Sequence, residues 1–167
     1  DFEEASIANT ISQEVFKSDG GSVSGWTTLT HSGELMQTDS GYFGAIYQNN
    51  ADHKQIMIGH RGTDGLTDVQ GWMTNFEYGA GQLPQQMKDG AKFTQIVKEY
   101  LLENKGLNVD LKDMVHAGWS EGGTEAKVAA VLTGARAYGF NAPKIKQLMD
   151  KIVEYSSEFS KTSQPLR

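Results

Sequence analysis

Ser120 is the residue around which chemistry can be argued. It sits in Val115-His116-Ala117-Gly118-Trp119-Ser120-Glu121-Gly122-Gly123, a short apolar run entering Gly-x-Ser-x-Gly, with a small-residue helix directly after. That layout is a nucleophile elbow: a strand turns sharply into a helix and presents one serine in a strained, exposed geometry. The flanking glycines have a steric reason, because a Cβ at Gly118 or Gly122 would collide with backbone as the chain reverses. Read this way, the Ser120 hydroxyl is a nucleophile and the reaction is hydrolysis. The five-residue pattern also arises by chance in a glycine-rich chain, and 19 of the 167 residues are glycine. The surrounding elements therefore have to carry the reading.

The remaining composition narrows the alternatives. A chain of this length buries one substantial core and reads as a single domain over residues 1–167. Its 38% hydrophobic and 22% charged content is that of an ordinary globular protein. A net charge of −6 argues against a nucleic-acid partner, since phosphates need cations to neutralise them. No apolar run is long enough for a transmembrane segment. The absence of cysteine removes disulfides, thiolate catalysis and zinc–thiolate sites. No metal-ligand spacing, dinucleotide fingerprint or P-loop lysine occurs, so neither cofactor nor metal is expected. The first residue is Asp1 and not Met, which together with the lack of cysteine favours a secreted or extracellular chain.

Elements that could position Ser120 follow from periodicity. Residues 3–17 read as a helix with Ala5, Ile7, Ala8, Ile11, Val15 and Phe16 on one stripe, ended by Asp19-Gly20-Gly21. After a glycine- and threonine-rich stretch, residues 41–47 and 54–60 read as two strands of an antiparallel hairpin around Asn49-Asn50. A loop at 61–85 leads to a helix at about 86–104, with Met87, Gly90, Phe93, Val97, Tyr100 and Leu101 on one face and Gly106 as its stop. Residues 113–117 form the strand before the elbow, and a helix at about 122–132 recurs in small residues at Gly122, Ala126 and Ala130. A strand at 135–140 and an amphipathic helix at about 143–159 complete the series, before a loose polar tail at 160–167. The alternation of strand and helix predicts an α/β fold with a mainly parallel sheet flanked by helices on both faces.

Several segments together resemble one family, the class 3 lipases and related lipase-like α/β-hydrolases. The resemblance rests on Ile56-Met57-Ile58-Gly59-His60-Arg61-Gly62-Thr63-Asp64 and on Asp68-Val69-Gln70-Gly71-Trp72-Met73-Thr74-Asn75-Phe76. It is extended by the elbow Gly118 to Gly123 and by Gly139-Phe140-Asn141-Ala142-Pro143, and it spans nearly the whole chain. It implies an α/β-hydrolase fold, a serine-dependent carboxylic ester hydrolase, and a lipid or other acyl ester as substrate. The oxyanion hole it implies is formed by the N–H groups of Thr63 and Glu121, with Asp64 and Asp68 organising the oxyanion loop and Arg61 pinning it by hydrogen bonds.

Three departures qualify the resemblance. Trp119 replaces the elbow's usual histidine, and Glu121 replaces a leucine, placing a carboxylate that repels anionic substrates. More seriously, the fold's triad runs Ser, then Asp, then His, and no histidine follows Ser120. The expectation is thus a partial domain lacking the C-terminal strands that carry the catalytic Asp and His. Those would come from a longer chain or a partner chain. His60 is the candidate base within the chain, although the family has a packing residue there. His116 reads as a satisfied core histidine, His53 as a solvated turn residue, and Asp150 as a residue on the polar side of the last helix. His31 falls in an irregular region. The alternatives are a non-catalytic lipase-like scaffold used for binding or assembly, and a fragment of a larger triad hydrolase inactive on its own.

Overall fold

The computed structural model describes residues 1–62 and 82–162. Five strands form one sheet in the order β1 (Trp26–His31), β2 (Gly44–Asn49), β3 (Ile56–His60), β4 (Val115–Trp119), β5 (Ala137–Phe140). Among the described residues the helices are α1 (Phe2–Glu14), a single turn α2 (Ser32–Leu35), α3 (Gln85–Lys105), α4 (Glu121–Thr133) and α5 (Met149–Thr162). The fold is α/β with helices flanking a mixed sheet.

The sheet is less parallel than the alternation predicts. β1–β2 and β2–β3 are antiparallel, and only β3–β4 and β4–β5 are parallel. For β2 and β3 the reason is the short connection between them. The chain crosses from β2 to β3 through a tight turn in which Gln55 N–H donates to Asp52 C=O at 3.0 Å, and a turn that short can only reverse direction. From β3 onwards each connection carries a helix, and the strands become parallel.

Alternation within the strands divides the core in two. Ala45, Tyr47, Met57, Val115 and Ala117 face α1 and pack on its Ala8, Ile11 and Val15. Ile46, Ile56 and Ile58 face the other way, onto Phe93, Val97 and Leu101 of α3. β3 and β4 are buried on both faces, as central strands of an α/β sheet must be. The helix stripes of α1 and α3 match the expected ones, except that Phe16 is left exposed beyond the end of α1. α3 stops at Gly106, which adopts φ 63°, the left-handed conformation that terminates helices and that glycine takes at no steric cost.

Two elements differ from expectation. The threonine-rich stretch forms the edge strand β1, whose register slips between Thr28 and Thr30. The last helix begins at Met149 and not at Pro143, because residues 146–148 first make a tighter 3-10 turn, with Leu148 N–H donating to Ile145 C=O at 2.9 Å. That helix does not reach the sheet with its apolar side. Its Leu148 and Ile152 neighbours pack instead on Leu83, Met87 and Val128, outside α3 and α4.

Candidate active site

The strand-to-helix turn at Ser120 is built by close backbone approach. Ser120 has φ 56° and ψ −121°, a sparsely populated positive-φ conformation that a non-glycine residue adopts at a cost of about 1–3 kcal/mol. Its N–H donates to Phe140 C=O on β5 at 2.8 Å, and its C=O accepts from Thr124 N–H at 3.1 Å. The first bond clamps the turn to the next strand, and the second opens α4. An ideal Cβ on Gly118 would lie 2.1 Å from Gly122 O, and one on Gly122 would lie 2.0 Å from His60 O. Both obstacles are backbone and cannot swing aside. The glycines are therefore required, because α4 starts directly against β3 and β4.

Around the turn the residues divide by face. Ser120 is partly exposed, and its hydroxyl has no hydrogen-bond partner among the described residues. Glu121 is the first residue of α4, in the turn whose N–H groups have no acceptor within the helix. Its side chain is buried, lies against Gly62, and accepts from Gln86 Nε2 on α3 at 2.6 Å. Thr63, the other oxyanion residue implied by the resemblance, lies outside the described residues. So do Asp64, the segment from Asp68 to Phe76, and most of the polar tail.

Beneath the turn lies a buried polar chain that sequence reasoning did not foresee. Tyr42 Oη and His60 Nδ1 are 2.8 Å apart, and His60 Nε2 and His116 Nδ1 are also 2.8 Å apart. The two imidazoles are stacked, with centroids 5.1 Å apart. The parallel register causes this: His116 sits opposite Ile58 and Gly118 opposite His60, so both rings project from one face of adjacent strands. Both nitrogens of His60 are occupied, which leaves none to take a proton from Ser120. His116 is a core histidine as expected, but its Nε2 has no partner among the described residues. Burial pulls His116 down to about 3, and burial together with the neighbouring His116 holds His60 well below the usual imidazole range. Both rings are neutral at physiological pH. Burial raises the Tyr42 hydroxyl well above its ordinary value, aided by the charges of Glu125 and Asp89.

Glu125, one helical turn after Glu121, is fully buried, and neither carboxyl oxygen has a hydrogen-bond partner of good geometry among the described residues. Burial raises its pKa well above the usual carboxylate range, and the nearby Glu121 and Asp89 add to this. The Gly62 amide and the Arg61 charge oppose the shift without cancelling it. Asp89 is better provided for: Ser40 Oγ donates to it at 2.6 Å, Gln85 Nε2 at 3.0 Å, and Thr38 Oγ1 donates as well. It ties the segment before β2 to the start of α3.

The other sequence candidates fall as follows. His53 is exposed in the turn between β2 and β3. His31 ends β1 and stacks on Phe43 at 5.2 Å. Asp150 is exposed in the first turn of α5. Arg61 makes no side-chain hydrogen bond or ion pair among the described residues, and the loop it is expected to pin lies outside them; its guanidinium lies over Phe43, 4.5 Å from the ring centroid. No group of three or more His, Cys, Asp or Glu able to hold a metal occurs among the described residues. A polar cleft of about 530 Å³, lined by Glu4, Lys54, Asp113 and Arg136, lies at the opposite end of the parallel strands from Ser120. Ligands of such sheets bind at the carboxyl ends of the strands, so the turn and not the cleft is the candidate site.

With this geometry in place, the comparison with known families is decisive. The family model for a Tle-like phospholipase domain, described as phospholipase-like, matches residues 8–163. The chain belongs to that family. Membership in the Tle-like phospholipase family supports lipase- or phospholipase-type activity in general, with lipids as the substrate class. No curated protein matches the chain. Among the described residues, no helix is long and apolar enough to cross a membrane.

Proposed function

We propose that the chain carries the nucleophile half of a serine-dependent lipid ester hydrolase. Ser120 Oγ attacks the ester carbonyl carbon while a base takes its proton. The C–O bond to the alcohol breaks, the alcohol leaves with a proton, and water then cleaves the acyl-enzyme to release the fatty acid. The amides of Glu121 and Thr63 stabilise the oxyanion, each contributing about 3–4 kcal/mol on the scale set by donor deletions. The positive end of α4 adds to the same field.

The observation that carries this reading is the positive φ of Ser120 at a strand-to-helix turn framed by glycines with no room for a Cβ. Strain of that kind persists only where surrounding structure enforces it, and it keeps a hydroxyl at the carboxyl edge of the sheet. The domain is the elbow-bearing part of a lipase-like α/β-hydrolase. No acid or base is assigned to Ser120 among the described residues. His60 is not assigned as base, because both its nitrogens are bonded within the core.

The same two bonds favour a second reading, a lipase-like scaffold that binds lipid without turning it over. Fatty acid release from phosphatidylcholine and from diacylglycerol by the full natural polypeptide, with and without Ser120→Ala, separates the two. The enzyme reading expects release that falls by at least about 10³-fold in the variant, on the scale of losing a nucleophile. Release that survives the substitution excludes Ser120 as nucleophile, and no release from either protein favours the scaffold.

A further inference from the structure

Arg61 has a position and a set of contacts that its neighbours do not explain. It follows the last residue of β3, and His60 pairs with Gly118, so its backbone stands one strand spacing from the Ser120 turn. Its N–H donates to Phe43 C=O at 2.9 Å, which fixes where the side chain departs. The His60 ring goes to the α3 face, whereas the Arg61 guanidinium goes to the α1 face and rests on Phe43. There it is half-buried, Nε is shielded from water without a hydrogen bond, and no carboxylate pairs with it among the described residues. A guanidinium is strongly favoured by hydrogen-bonded anions, so a half-buried one left without such a partner is suited to an anion that arrives with a ligand.

The surroundings define that ligand. The same edge of the sheet carries Phe43 and Phe140, which pack on the α1 core, and Trp119, which pairs with Phe140 and is 42% exposed. A cation stacked on one aromatic ring, beside an exposed tryptophan one residue before the candidate nucleophile, suits a molecule with an anionic group joined to apolar chains. The Glu121 side chain lies against Gly62 and Gln86, and the Arg61 charge also bears on the buried Glu125 without a hydrogen bond or ion pair between them.

The geometry points to Arg61 as the residue that recognises the phosphodiester of a glycerophospholipid whose acyl ester lies at Ser120. This rests on the reading of Ser120 given above and adds to it a basis for choosing phospholipids over uncharged acylglycerols. In a glycerophospholipid the phosphate and the ester carbonyls are separated by a few bonds of glycerol. The planar fork of a guanidinium fits two phosphate oxygens at once, which an ammonium cannot do.

The test pairs binding with turnover. Short-chain phosphatidylcholine and the matching diacylglycerol are titrated into the full polypeptide bearing Ser120→Ala, with and without Arg61→Gln or Arg61→Lys. Phosphatidylcholine affinity is expected to fall by about 10- to 100-fold in Arg61→Gln, the worth of a hydrogen bond to a charged group. Arg61→Lys is expected to recover part of it, and diacylglycerol binding is expected to change far less. Inorganic phosphate at equal concentration is expected not to displace the lipid. Equal loss for both lipids, no loss for either, no phosphatidylcholine binding, or displacement by inorganic phosphate would each overturn the assignment. Hydrolysis by the parent protein is measured alongside. Arg61-dependent binding without hydrolysis keeps this inference and removes the esterase reading, whereas Ser120-dependent hydrolysis with unchanged lipid preference in Arg61→Gln does the reverse.

Discussion

Gly122→Ala is expected to destabilise the chain by more than about 3 kcal/mol, at the severe end of single substitutions. The added Cβ would lie 2.0 Å from His60 O and 2.9 Å from His60 C. Neither atom belongs to a side chain, so relief requires α4 to move away from β3. That movement would break the packing of α4 on β3 and β4 and pull Ser120 out of its turn. Gly118→Ala meets Gly122 O at 2.1 Å and is expected to cost as much for the same reason. Gly106→Ala provides the control. Nothing lies within 4 Å of its added Cβ, and only the left-handed φ of 63° opposes it, a strain of about 1–2 kcal/mol. Urea unfolding midpoints compare the three. Elbow variants no less stable than the Gly106 variant would mean that α4 does not start where the structure places it.

The second large effect is a dependence of stability on pH that comes from the buried groups. His60 and His116 are held neutral in the folded state, while in the unfolded chain they protonate below about pH 6.5. Below that value the unfolded state binds more protons, so stability falls as the solution is acidified. Each histidine contributes a slope approaching about 1.4 kcal/mol per pH unit, which for His116 continues down to about 3. Glu125 acts in the opposite direction. Its folded pKa is raised, so the stability it confers is fully present below the ordinary carboxylate value near 4.5 and is lost as pH rises toward the raised value. Glu125→Gln is therefore expected to gain stability over the parent increasingly as pH climbs from 4.5, by up to about 1.4 kcal/mol per unit. Chemical unfolding from pH 4 to 9 on both proteins checks the two signs. A parent curve that stays flat between pH 6.5 and 4, or a Glu125→Gln difference that shrinks as pH rises, would show that these groups are hydrated in the folded chain.

How much of this was legible in the sequence depends on whether the cause was local. The Gly106 stop, the stripes of α1 and α3, and the glycines around Ser120 follow from backbone sterics and helical spacing. Each appears in the structure where those rules put it. β1 was hidden because Thr27, Thr28 and Thr30 read as loop chemistry, and the slip in register between Thr28 and Thr30 breaks the alternation that marks a strand. The antiparallel β2–β3 hairpin was legible from its turn residues, and the sheet is more mixed than expected only because β1 adds a second antiparallel pair. The His60–His116 pair and the Arg61–Phe43 stack depend on register between separate segments, which no single stretch of sequence carries. Glu125 left a weaker trace. It lies one turn from Glu121 on a helix otherwise rich in small and apolar residues, and two acids on such a helix signal burial or function.

The claim on which the account turns is that Ser120 is an activated nucleophile held in an elbow. The most direct measurement is reaction of the full natural polypeptide with a fluorophosphonate, followed by intact mass and peptide mapping. The account predicts one adduct per chain, located on Ser120 and lost in Ser120→Ala. A folded protein that takes up no label, or one whose adduct persists after that substitution, would contradict it.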